Sequence, residues 1–281
     1  MRRALRLAAR GLRTCAPNPA VGCVIVNDSR VVGEGFHVRA GGPHAEVVAL
    51  RAAGERARAA TVYVTLEPCS HHGRTPPCAA ALVEAGVSRV VAAARDPNSQ
   101  VMGGGVRVLQ AAGIEVEIGV GEIQTRRINR GFFSRFERGR PWLTLKLAAS
   151  LDGKSALADG TSRWITGPVA RAAVHRSRAR AGAVLTGVGT VLADDPALNV
   201  RLPGVSRQPM RVVLDSRLAT PPGARLLREP GGAVYIFCTE ADIERRRALE
   251  AAGADIVRVS CPDEGSTAAL KQIVPETSAP I

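Results

Sequence analysis

His44-Ala45-Glu46 follows Gly41-Gly42-Pro43, and the apolar run TVYVTL at 61–66 leads into Glu67-Pro68-Cys69, with Cys78 beyond SHHGRTPP. One imidazole and two thiolates provide three ligands for zinc and leave a fourth position for water, the arrangement of a catalytic rather than a structural site. Zinc lowers the pKa of bound water toward neutrality, which makes hydroxide available as a nucleophile. Glu46, two residues past His44, is near enough to approach that water without becoming a fourth ligand. A carboxylate placed there takes the water's proton and passes it to a departing amine. His71 and His72 share the loop between the two cysteines, but three ligands and a water already fill the site, so neither is expected on the metal. Cys15, Cys23, Cys238 and Cys261 lie in apolar or mixed contexts and read as plain thiols; six cysteines in a chain of this size suggest no disulfide framework.

These groups need a scaffold, and the apolar patterning supplies one. VGCVIV at 21–26 predicts a strand, followed by a turn at Asn27-Asp28 and a second strand through VVGEGF. A helix is expected over 44–59, a buried strand over 61–66, and a helix over 76–86. A strand at SRVVAAA, a helix over 103–112, a strand at IEVEIG and a closing helix over 121–136 complete the series. This succession implies a mixed sheet covered on both faces. RFERGRP at 135–141 reads as a junction, which gives expected domains of 1–140 and 141–281. The second half predicts a strand and turn in WLTLKLAASLDG and a helix over 168–180. Strands follow at AGAVLTG, MRVVLDS and AVYIFCT, then a helix over 240–252 and a strand at ADIVRV. After Leu270 the composition becomes tail-like.

Composition narrows the function classes. The 281 residues are 46% hydrophobic and 22% charged, a globular balance able to bury a core in each half. The net charge is +13 and the pI about 10.7. However, 35 of the 38 basic residues are Arg, scattered along Ala-rich helical stretches, and aromatics at 3% are too few for a base-stacking platform. Nucleic acid is therefore not the expected partner. No apolar run reaches the roughly 18–20 residues that span a bilayer. The basic amphipathic N-terminus lacks the uninterrupted apolar core of a secretory signal. A cytoplasmic protein without membrane contact is expected.

The HAE and PC elements match the H-x-E and P-C-x-x-C logic of base deaminases, except that eight residues rather than two separate the cysteines. Asn18-Pro19-Ala20-Val21-Gly22, His44-Ala45-Glu46 and TLEPCSHHGRTPPC at 65–78 closely resemble the deaminase domain of the bifunctional riboflavin-biosynthesis deaminase/reductase family, which has this long interval. LKLAASLDGKSAL at 145–157, SRWITG at 162–167 and LTGVGTVLADDPALNVR at 185–201 resemble its reductase domain. Read without the family, Gly187-Val188-Gly189-Thr190 is only a glycine turn before a helix, and Asp194-Asp195 before Pro196 a helix-ending turn.

The resemblance implies a cytidine-deaminase-like three-layer α/β/α domain followed by an incomplete dihydrofolate-reductase-like α/β domain. It implies zinc on His44, Cys69 and Cys78, proton transfer by Glu46, pyrimidine contacts from Asn18 and His37, and a phosphate contact from Arg74. In the second domain it implies NADPH contacts at Ala148, Trp164, Thr190, Asp194 and Ser216, and substrate contacts at Ser162, Arg178, Leu198 and Arg201. The implied reaction is deamination of diaminohydroxyphosphoribosylaminopyrimidine, a phosphorylated aminopyrimidine, then reduction of its ribose to ribitol, by a homo-oligomer. The family domain continues with a further strand, a Glu-Gly-Gly turn and a glycine-rich loop that this chain lacks, so the expectation is sound deamination with weak or absent reduction. Asp96-Pro97-Asn98 also matches a family loop and is given no role. Two other readings stay open: a tRNA or nucleobase deaminase, and a non-catalytic zinc-stabilised module.

Overall fold

The computed structural model describes residues 1–71, 76–162, 164–239 and 242–259. The chain divides into two compact units, one over Met1–Trp142 and one beginning at Leu143.

In the first unit, α1 (Arg2–Gly11) leads to the hairpin of β1 (Gly22–Asn27) and β2 (Arg30–Phe36). Its turn residues Asp28 and Ser29 both have positive φ, as a two-residue hairpin loop requires. Then follow α2 (Ala45–Ala53), β3 (Thr61–Val64), α3 (Cys78–Glu84), β4 (Arg89–Ala92), α4 (Gly104–Ala111), β5 (Glu115–Ile118), α5 (Glu122–Ile128) and α6 (Arg130–Arg138). The sheet order is β2-β1-β3-β4-β5, with β1 antiparallel to both neighbours and β3, β4 and β5 parallel. Along β1, Cys23 and Ile25 enter the core shared with α2, α3 and α4, while Val24 turns to Ala4 and Leu7 of α1. Both faces are therefore covered, which is why this strand reads as a continuous apolar run and the domain has three layers. The layers touch closely: a Cβ on Gly22 would lie 2.1 Å from the Ala4 carbonyl oxygen.

Two predicted helices differ from those observed. The helix expected over 44–59 ends at Ala53, because Gly54 takes a positive φ and only a 3-10 turn follows. The closing helix is split at Asn129, whose buried side chain accepts from the Ala20 amide at 2.8 Å and donates to the Ala20 carbonyl at 2.9 Å. That two-bond clamp fixes the Asn18–Ala20 stretch to the far end of the domain.

In the second unit, α7 (Pro168–Arg180), β6 (Ala183–Gly187), α8 (Val188–Asp194), β7 (Met210–Leu214), α9 (Arg225–Arg228), β8 (Val234–Cys238), α10 (Ile243–Ala251) and β9 (Ala254–Arg258) alternate. The four strands pair in parallel in chain order. Val213, Leu226, Ile236 and Leu249 form the centre of this core. The strand expected within 142–153 is not formed: Leu143, Leu145 and Leu147 are 66%, 82% and 78% exposed and no ladder includes them. Period-two apolar patterning makes a strand only where a neighbouring strand satisfies its amides, and among the described residues none does.

Candidate active site and metal centre

Each group of the candidate centre stands where a regular element begins or ends. His44 is the extended residue before α2, Glu46 lies in that helix's first turn, and Cys78 is the first residue of α3. Cys69 follows β3 after the short run Thr65–Pro68. The Cys78 amide donates to Cys69 Sγ at 3.4 Å, so the start of α3 and the chain leaving β3 meet at the sulfur. Two helix N-termini aimed at one place favour negative charge there, as thiolates require.

The ligand atoms of His44, Cys69 and Cys78 all lie within 4.8 Å of one another. His44 Nδ1 is 3.2 Å from Cys78 Sγ and 3.6 Å from Cys69 Sγ. Tetrahedral zinc bonded to imidazole and thiolate at ordinary lengths sets these atoms about 3.5 Å apart. The donor set and its spacing therefore fit zinc. The Cys78 thiol, then His44, hold Cys69 down to about 4 against the opposing effect of burial. The same sulfur contact, with burial, pushes Cys78 upward. His44 is raised, chiefly by its bond to Cys69.

Glu46 is buried, and burial, with the Cys69 charge added, pushes its carboxyl up to about 7. A carboxyl poised near neutrality can both take and return a proton. It faces a cleft of about 570 Å³, solvent mouth included, whose other polar walls are Asn18, His37, Glu67, His71 and Asp96. Val21, Leu66, Val101 and Phe132 supply its apolar walls. His37 is 2% exposed and burial lowers its pKa; its ring meets that of His44 edge-on at 5.3 Å. His71 reaches the cleft with a buried Nδ1 that has no hydrogen-bond partner. Arg74 and His72 lie outside the described residues.

Sequence reasoning missed part of this wall. Glu67 is buried with its oxygens 3.4 Å from the Asp96 and Val106 amides, tying the ends of β3 and β4 to α4. A Cβ on Gly105 would lie 1.8 Å from the Pro68 carbonyl oxygen, so α4 rests directly on the segment that carries Cys69. The adjacency of Glu67 to Cys69 was a usable signal. Phe132 gave none, because it reaches the cleft from α6.

In the second unit the candidate residues fall into two groups. Arg178 donates to the Asn199 carbonyl at 3.3 Å and Arg201 to Asn199 Oδ1 at 2.8 Å, so one asparagine gathers both guanidinium groups. No carboxylate pairs with either among the described residues. Leu198 is buried between them in sequence with φ +53, a strained conformation for a leucine. Thr190 lies in α8 just beyond the carboxyl end of β6, and Ser216 just beyond that of the parallel neighbour β7. That shared edge is where open parallel sheets take ligands. Asp194 closes α8, and Asp195 takes the left-handed conformation of a helix-ending turn. Ala148, Ser162 and Trp164 lie on a stretch without helix or strand. Trp164 is 71% exposed, with the Arg171 guanidinium 4.2 Å from its ring centre.

Comparison with known proteins agrees with this two-part organisation. The model of the cytidine and deoxycytidylate deaminase zinc-binding region matches residues 1–94, and that of the RibD C-terminal domain matches residues 141–274. Riboflavin biosynthesis protein RibD of Escherichia coli is 54% identical over 243 residues, 82% of this chain and 66% of the relative. RibD of Aquifex aeolicus is 46% identical over 257 residues, 92% of this chain and 72% of the relative. The chain thus spans about two thirds of the length of its curated relatives. The Acinetobacter baumannii RibD structure superposes with a TM-score of 0.87 at 47% identity, covering 97% of this chain and 75% of that one. A Thermotoga maritima diaminohydroxyphosphoribosylaminopyrimidine deaminase/5-amino-6-(5-phosphoribosylamino)uracil reductase superposes at 0.80 with 38% identity, covering 92% of this chain and 79% of that one. The first unit is the deaminase-type three-layer domain and the second the dihydrofolate-reductase-like RibD domain. Among the described residues, no helix is long and apolar enough to cross a membrane. On identity and coverage together, this chain belongs to the riboflavin biosynthesis protein RibD family.

Proposed function

We propose that the first unit catalyses zinc-dependent hydrolytic deamination of diaminohydroxyphosphoribosylaminopyrimidine, and that the second reduces the product's ribosyl group to ribityl with NADPH. The observation that carries the first half is the buried Glu46 carboxyl beside the His44–Cys69–Cys78 cluster, inside a cleft with both polar and apolar walls.

Zinc, when bound by these three side chains, supplies the Lewis acidity that makes water nucleophilic near neutral pH. Glu46 takes a proton from the attacking water on a carboxylate oxygen and delivers it to the leaving amine. A carbon–oxygen bond forms, the carbon–nitrogen bond breaks, and ammonia departs. Asn18 and the His37 wall orient the ring, the apolar walls exclude bulk water, and Arg74 binds the phosphate through its guanidinium fork.

In the second unit, Arg178 and Arg201 are two cations held together with no carboxylate partner among the described residues, which suits a phosphorylated sugar. Leu198 and Ser162 complete that contact. Ala148, Trp164, Thr190, Asp194 and Ser216 hold the NADPH, which supplies the hydride while the protein positions it. The reading includes a cytoplasmic homo-oligomer that engages neither nucleic acid nor membrane.

The test is mass spectrometry of products after the zinc-loaded chain meets the diaminopyrimidine ribosyl phosphate and NADPH. Exchange of one amino group for oxygen is the expected first product, and two added hydrogens report the second activity. Unchanged substrate with zinc-loaded protein overturns the deaminase reading.

A further inference from the structure

Asn18 is oriented from behind by groups that are not part of the metal centre. Its Nδ2 lies 3.1 Å from Nε2 of His37, and His37 Nδ1 lies 3.0 Å from the Pro43 carbonyl oxygen. A carbonyl oxygen only accepts, so His37 must carry its proton on Nδ1. In the neutral ring Nε2 is then a bare acceptor, and the group that meets it must be the NH2 end of the Asn18 amide. The main chain at Asn18 is fixed separately. Its amide donates to the Cys15 carbonyl at 3.0 Å, its carbonyl accepts from Cys15 Sγ at 3.3 Å, and Ala20 is clamped by Asn129. The relay from Pro43 decides which end of the Asn18 amide faces His37. A flipped amide would set Oδ1 against the Nε2 lone pair, two acceptors face to face in a buried place.

We propose that this Pro43–His37–Asn18 relay presents Asn18 Oδ1 to the cleft as a fixed acceptor, so that the site selects rings offering an N–H there and rejects rings offering a lone pair. An exocyclic amine or a protonated ring nitrogen meets that demand; a carbonyl does not. Both ring nitrogens of His37 are occupied by protein groups, so His37 lines the cleft without a hydrogen bond to offer the substrate and acts as a positioning residue through Asn18. The identity of the ring rests on the deaminase reading above, whereas the polarity of the relay does not.

Two variants separate polarity from bulk. His37→Gln keeps a donor for Pro43 and an acceptor for Asn18, whereas His37→Leu keeps only volume. The probes are 2,4-diaminopyrimidine and 2,4-dimethoxypyrimidine, which share bare ring nitrogens and offer N–H groups or oxygen lone pairs at the same two ring positions, with dissociation constants measured by calorimetry on zinc-loaded protein. The parent chain should prefer the diamine by about tenfold or more, the factor a misplaced buried hydrogen bond is worth. In His37→Leu the ratio should fall toward one at full zinc content, because the amide then flips freely. His37→Gln should retain most of the preference. An unchanged ratio in His37→Leu, or an equal loss in both variants, overturns the proposal.

Long-range nitrogen–proton NMR of His37 in the parent protein provides a second reading that no folding defect can obscure. Protonated Nδ1 with bare Nε2 is expected, and the opposite tautomer overturns the relay. A correct tautomer and ring preference in a chain that leaves the phosphorylated substrate unchanged would sink the deaminase reading alone.

Discussion

The two units place their candidate residues by different means. In the first, His44, Glu46 and Cys78 sit at helix starts, Cys69 follows a strand, and all are held against a sheet covered on both faces. In the second, Thr190, Ser216 and the Arg178–Asn199–Arg201 group are anchored by a four-stranded parallel sheet and by hydrogen bonds. Ala148, Ser162 and Trp164 instead lie on a stretch whose leucines are exposed. A sheet that pairs and buries a segment fixes its side chains to fractions of an ångström; sequence pattern without pairing does not.

The largest expected effect is chemical. Glu46→Gln should lower deamination about 10²–10⁴-fold while zinc content and pyridine-nucleotide binding stay unchanged. A simultaneous loss of nucleotide binding would show that the two units do not work separately.

Next comes packing. Leu82 on α3 is fully buried, so Leu82→Ala should cost about 2–5 kcal/mol in denaturant unfolding of the first unit and disturb the helix that begins at Cys78. A cost under about 1 kcal/mol would mean that the first core is looser than the comparison requires.

A smaller effect lies with Asp96. Burial first, then the charges of Glu67 and Cys69, raise its carboxyl from 3.8 to about 6 despite the opposing Asn98 amide. The folded protein thus holds this proton more tightly than the unfolded chain does. The resulting stability is complete below the ordinary carboxyl range and lost as pH rises through about 6. Asp96→Asn removes that loss, so relative to the parent the variant should gain about 1–3 kcal/mol between acidic and neutral pH. Parallel unfolding curves at both pH values would expose the wrong sign at once.

The smallest effect sharpens the contrast from the other side. Leu145→Ser should change stability by less than about 0.5 kcal/mol, because that side chain is already in solvent. A loss comparable to that of Leu82→Ala would show the 142–153 segment packed in solution, and the comparison would have to be redrawn.

Much of the fold was legible because its signals are local. β1, β3 and β4 are apolar runs bounded by polar turns, and the hairpin lies within a residue of the predicted turn. Errors came where a distant partner decided the outcome. Asn129 breaks the predicted closing helix because Ala20 occupies its side chain, and residues 142–147 form no strand because none of the described strands pairs with them. The helix expected to end at 59 stops at Ala53, where glycine permits a turn that the alanine-rich pattern conceals.

The sequence by itself determined the metal centre's chemistry. A histidine, two cysteines and a glutamate at these spacings, each beside a predicted helix start or strand end, leave few other uses for those side chains. Only the tertiary structure decided what surrounds them: that Phe132 closes the cleft from α6, that Glu67 is consumed in joining β3 and β4 to α4, and that His37 faces Asn18 and Pro43. Ligand identity is carried by residue type and short spacing. The polarity and shape of a pocket arise from contacts between segments far apart in the chain, which no local pattern records.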